Sequence, residues 1–146
     1  MIEVVSKRSL KETLPLIRAY QEFYKVADIS DERNEQFFSQ FCEDNPAGCQ
    51  FLYRELGTAV GFATVYFSYA SSITAKVGVL NDLYTLPEHR GKGIGRQLIE
   101  HCRAYAREQR ATRLQWVTSP ENHEAQKLYN SIGATKSTWN FYTYNT

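Results

Sequence analysis

With 146 residues, 42% of them hydrophobic and 23% charged, the chain has the make-up of one ordinary globular domain spanning 1–146. It holds no apolar run near the roughly 18–20 residues that cross a bilayer, so a helical membrane protein is excluded. Seventeen basic against sixteen acidic residues give a net charge of +1, far short of a dedicated nucleic-acid binder.

Ile2, Val4 and Val5 predict a first strand. Ser9 with Glu12 three places on has capping-box spacing and opens a helix whose apolar positions, Leu10, Leu14, Ile17, Phe23 and Tyr24, run to about Val26. A shorter helix is predicted over 31–44, with Phe37, Phe38 and Phe41 on one face, and Asn45, Pro46 and Gly48 stop it. Three runs rich in Val, Phe, Tyr and Thr follow at 49–56, 60–69 and 75–86, with short turns at Gly57 and Thr58 and at Ser71 and Ser72, which predicts antiparallel strands. After Pro87 the period becomes helical: Ile94, Leu98, Cys102, Tyr105 and Ala106 form a stripe reaching about Gln109. A strand at 114–118 comes next. Ala125, Leu128, Tyr129 and Ile132 then mark one face of a helix running from near Pro120 to a glycine cap at Gly133. An aromatic strand near 139–144 closes the chain. The order βααβββαβαβ is an α/β layout with a mixed sheet.

Charge is segregated along the chain. Residues 28–44 carry Asp28, Asp31, Glu32, Glu35, Glu43 and Asp44 against Arg33 alone, while 86–113 carry seven bases against Glu88, Glu100 and Glu108. Beside the plain reading of solvated helix faces, one stretch favours a cation and the other an anion. The opening residues lack both the basic start and the apolar stretch of a signal peptide, which predicts a cytoplasmic location. Cys42, Cys49 and Cys102 form no CxxC pair and are expected to be reduced thiols. His89, His101 and His123 have no metal-ligand spacing, so no metal site is expected.

The most informative stretch is 83–97, LYTLPEHRGKGIGRQ. A strand passes through Pro87 into a turn with Gly91, Gly93 and Gly95, then straight into a helix. Glycines let the backbone bend and approach a ligand, and a helix start offers unpaired N–H groups, so the site suits a pyrophosphate, with Arg90, Lys92 and Arg96 adding charge. It is not a Rossmann loop, because Arg96 stands where the third glycine is needed. Nor is it a Walker loop, because Gly91 and Lys92 have Leu86 five places before them and Gly93 after them.

Arg90, Gly93 and Gly95 match the coenzyme A motif of the GNAT superfamily of N-acetyltransferases, which this sequence resembles. Asn122, Ala125, Leu128, Tyr129 and Gly133 keep the spacing of that family's second motif. The stretch VLNDLYTLPEHRGKGIGRQLIEHC looks most like the branch acting on polyamines and histone-type lysines.

The resemblance implies a mixed, mostly antiparallel central sheet flanked by helices. It also implies acetyl-CoA as cosubstrate and direct transfer of acetyl to a primary amine. Backbone groups of Leu83, Tyr84 and Thr85 would meet the pantetheine arm and thioester. The segment Gly91, Lys92, Gly93, Ile94, Gly95 and Arg96, with Arg90, would hold the pyrophosphate, and Asn122 and Ala125 would line the other side. Tyr129 matches the tyrosine that protonates the departing thiolate, although its helix face also suits core packing.

The amine is the harder partner, since at a pKa of about 10.4 only roughly one molecule in 2500 is neutral at pH 7. Some polyamine-acetylating relatives carry a glutamate where this chain has Asn81, an amide that accepts no proton. Asp82 is then the candidate base, provided a bulge turns it into the cleft, with a structural carboxylate as the equal alternative. Asn81 and Asp28 border the expected acceptor side, and the acids of 28–44 would draw a polycation or a basic peptide. The competing readings are an aminoglycoside or other small-molecule amine acetyltransferase and a catalytically silent coenzyme A sensor. The aromatic end of the chain favours a homodimer.

Overall fold

The computed structural model describes residues 1–43 and 45–146; Asp44, the last of the clustered acids and the expected end of the second helix, lies outside the described residues. The elements are β1 (Ile2–Val4), α1 (Leu10–Phe23), α2 (Asp31–Phe38), β2 (Gly48–Glu55), β3 (Thr58–Ala70), β4 (Ala75–Thr85), α3 (Ile94–Glu108), β5 (Leu114–Gln115) and α4 (His123–Ser131). The sheet runs β1-β2-β3-β4-β5, antiparallel except for the parallel pair β4 and β5. This is the expected α/β fold, and no helix among the described residues is long and apolar enough to cross a membrane.

The sheet has a core on each face. Leu10, Leu16 and Ile17 of α1 and Phe38 of α2 cover Leu52, Phe62 and Tyr84, while Leu98, Ile99 and Cys102 of α3 cover Phe51, Val65 and Leu80. Each fully buried Phe, Leu or Ile here contributes about 1.5–3 kcal/mol. Gly78 permits close packing of β4 against α3 and β5, because a Cβ there would sit 3.2 Å from Ala106 Cβ and 3.3 Å from Leu114 Cδ1.

Two local expectations are corrected. The box at the start of α1 is Ser6 with Ser9, not Ser9 with Glu12: Ser9 N–H donates to Ser6 Oγ (3.1 Å) and Ser6 N–H to Ser9 Oγ (2.9 Å). Glu12 is drawn away by Arg54, whose guanidinium reaches Glu12 at 2.7 Å and Glu3 at 3.0 Å, tying α1 and β1 to β2. The final strand is absent: the described chain after Gly133 has no regular structure, and Trp139, Phe141, Tyr142 and Tyr144 are 83–96% exposed. Strand propensity is realised only against a partner edge, and β5, expected over 114–118, offers just Leu114–Gln115.

One irregularity positions the site. Thr64 pairs with Asp82 and Val65 with Leu80, so Asn81 has no cross-strand partner and forms a bulge on β4. Beyond it, Asp82 lies beside Thr64 on the face of Phe62 and Tyr84, under α1, while Leu80 packs toward α3.

Candidate active site

Pairing of β4 with β5 ends at Val79 and Gln115, and the two strands then part. The opening holds a cavity lined by Tyr20 and Tyr24 at the end of α1, Leu80, Asn81 and Leu83 of β4, Trp116 and Val117 beyond β5, and Tyr129 of α4. Two ring pairs form its aromatic walls, Tyr20 with Tyr24 at 4.9 Å and Trp116 with Tyr129 at 5.2 Å between centroids.

At the far end of β4 the chain turns through Pro87–His89 into the glycine segment. Gly91 and Gly93 have φ of +78° and +82°, and a Cβ at either would meet nothing within 4 Å, so both serve the turn and face open space. Gly95 differs: its Cβ would lie 3.1 Å from Leu128 Cδ2, which makes it a packing glycine between α3 and α4. Helical bonding in α3 begins with Gln97 N–H to the Gly93 carbonyl at 3.0 Å, leaving the amides of Ile94, Gly95 and Arg96 free of intrahelical partners. The Ile94 side chain is buried in the α3 core, so this residue has only backbone to offer a ligand.

The bases of the turn are not alike. Arg90 Nε donates to the Thr85 carbonyl at 2.8 Å, and its guanidinium lies 5.3 Å from the ring centroids of both Phe23 and Tyr84. Lys92 pairs with Glu55 of β2 at 3.1 Å, and the same carboxylate contacts His89. These contacts, His89 foremost, hold Glu55 below its usual range. Arg96 is exposed. Glu55 escaped sequence reasoning because the chain gives no sign that the end of β2 lies beside the glycine turn.

Leu83 lines the cavity, whereas Tyr84 is buried against Phe62 and Thr85 is occupied by Arg90. Asn122 Oδ1 accepts the Ala125 N–H at 3.2 Å, so these two residues cap α4. Tyr129 packs against the α3 core and also lines the cavity. Burial pushes its phenol up to about 12, so it keeps its proton at neutral pH.

Asp82 is only 6% exposed. Asn81 Nδ2 donates to its Oδ1 at 3.2 Å, while Oδ2 is buried without a partner. Burial raises its carboxyl above the usual range, partly offset by Thr64, Tyr20 and Asn81. Asn81 borders the cavity, but Asp82 does not. Asp28 is also apart from it: this residue sits between α1 and α2 and pairs with Arg33 at 3.4 Å, as Asp31 does with Arg18 at 2.8 Å. The acidic stretch is thus partly neutralised by bases, one of which, Arg18, lies outside it.

The sequence profile of the Acetyltransferase (GNAT) family matches residues 14–134. This chain belongs to that family. It is 31% identical over 124 residues to the N-acetyltransferase YhfO of Bacillus subtilis, covering 85% of this chain and 82% of the relative. The D-amino-acid N-acetyltransferase HPA3 of Saccharomyces cerevisiae is 34% identical over 119 residues, 80% of this chain and 73% of the relative. A thialysine N-epsilon-acetyltransferase of Bos taurus is 33% identical over 143 residues, with 92% and 83% covered. Among solved structures, a probable acetyltransferase superposes with a TM-score of 0.85 at 29% identity, covering 100% of this chain and 97% of that one. The GNAT chain is accordingly an N-acetyltransferase.

Proposed function

We propose that this GNAT enzyme transfers acetyl from acetyl-CoA directly to a primary amine of the polyamine or lysine side-chain type. The observation that carries the reading is the unpaired stretch of β4 beside the cavity, with the open glycine turn at one end and a protonated Tyr129 across the gap. The residues present fit acetyl-CoA: Gly91 and Gly93 leave room for close approach, the amides of Ile94, Gly95 and Arg96 are unpaired, and Arg90, Lys92 and Arg96 supply positive charge. Leu83, Tyr84 and Thr85 would flank the pantetheine arm, with Asn122 and Ala125 opposite. Bound there, acetyl-CoA supplies an acyl group already activated as a thioester.

Tyr129 holds a proton at Oη for the leaving thiol, and Asp82 is the carboxylate that takes up the acceptor's proton. Asn81 borders the acceptor, and Asp28 contributes at a distance through charge. A lysine-type acceptor is supported by the similarity to the thialysine enzyme across most of the chain. The aromatic walls suit an alkylammonium stem. The exposed aromatic arm after Gly133 supports a homodimer.

The test is incubation with acetyl-CoA and spermidine, lysine, a basic peptide or an aminoglycoside, read as free thiol. Release with the linear amines is expected. Release with the aminoglycoside alone would overturn the acceptor class, and no release with any amine would leave the silent sensor.

A further inference from the structure

We propose that the Tyr20 hydroxyl carries the acceptor's proton from the cavity to Asp82, an inference that rests on the amine-acetylating reading above. Asp82 sits behind the cavity wall, turned under α1 by the Asn81 bulge. Tyr20 belongs to both places. Its side chain lines the cavity, its hydroxyl donates to the Asn81 carbonyl at 3.4 Å, and it stands close enough to Asp82 for the two to perturb each other's ionisation. Edge contacts with Phe62 at 5.7 Å and Tyr84 at 6.1 Å fix the ring.

The bond to Asn81 is at the long limit, so little is lost when the hydroxyl turns to another acceptor. Asp82 Oδ2 is that acceptor, buried and without a partner. In the step, an N–H bond of the substrate ammonium breaks and its electron pair stays on nitrogen. The proton bonds to Tyr20 Oη as the proton already there passes to Asp82 Oδ2. A cation and a buried anion become a neutral amine and a neutral acid, with Tyr20 unchanged. Removal of a desolvated charge favours the transfer. Among the described residues the groups facing Asp82 are Tyr20 from α1, Thr64 and Tyr66 from β3 and the adjacent Asn81, while Tyr24 and Tyr129 stand near Tyr20; none of these is a Lys, Arg or His.

Tyr20→Phe keeps the ring packing, and melting curves would establish that each variant is folded. Tyr20→Phe and Asp82→Asn should each lower kcat by about 10- to 100-fold, with the double variant no worse than the weaker single one, because residues acting as one unit are not additive. Multiplied losses would overturn the relay while leaving the acetyltransferase reading intact; a wild-type enzyme inactive with every amine would overturn both. A carbon NMR titration of the four aspartates, assigned by loss of one signal in Asp82→Asn, gives a readout independent of turnover. The Asp82 carboxyl should titrate above the ordinary range and move higher in Tyr20→Phe, which removes the hydroxyl able to turn to the carboxylate. An unmoved titration would overturn the contact.

Discussion

Asp82 is held in a state that costs stability at neutral pH. Burial raises its carboxyl, so the folded state binds that proton more tightly than the unfolded chain does. The contribution is therefore fully present at low pH, below the ordinary carboxyl value, and is lost as pH rises through the raised value. Asp82→Asn should melt higher than wild type at pH 7, by about 2–4 °C for each 1 kcal/mol regained, with the gap closing toward pH 4; equal melting at pH 7 would refute this. Tyr129 offers the opposite test. Loss of its hydroxyl in Tyr129→Phe should lower kcat by about 10-fold to 10³-fold at unchanged acetyl-CoA affinity, and full kcat with chemistry rate-limiting would reduce it to packing. The sequence singled out both residues as candidates but did not show the placement of Asp82, because the bulge that turns it depends on how β3 pairs with β4.

Among the elements, helix periods and strand runs fell where the sequence put them except for the missing final strand, since they depend on side chains close together in the chain. Their ends were set by distant partners. Arg54 takes Glu12 from the predicted cap, and Ser6 replaces it. Ser6→Ala should cost about 1 kcal/mol in urea unfolding, as for other cap losses, whereas Glu12→Gln should leave the cap intact; the reverse order would restore the original box. At the glycine turn, positive φ at Gly93 means that Gly93→Ala strains the backbone by about 1–2 kcal/mol, which urea unfolding would read. The packing use of Gly95 was not legible in the sequence, because its neighbour Leu128 lies on another helix.

At the scale of the whole molecule, the unpaired arm is the largest departure from the sequence expectation. Its four large aromatics face solvent in a single chain, an arrangement that calls for a partner surface. Light scattering should show twice the 16.9 kDa chain mass, and removal of residues 135–146 should yield the single-chain mass; a full-length monomer would refute this.

The three cysteines also describe the molecule as a whole. Cys49 and Cys102 belong to the core beneath α3, and Cys42 to the core beneath α1 and α2, all of them buried. Burial raises each thiol and keeps the reactive thiolate scarce. A mass-tag alkylating reagent therefore reads only molecules that have opened. Because each side of the sheet carries its own tag site, comparing the labelling of Cys42 with that of Cys102 through a denaturant series would tell whether the two halves of the protein come apart together or one before the other.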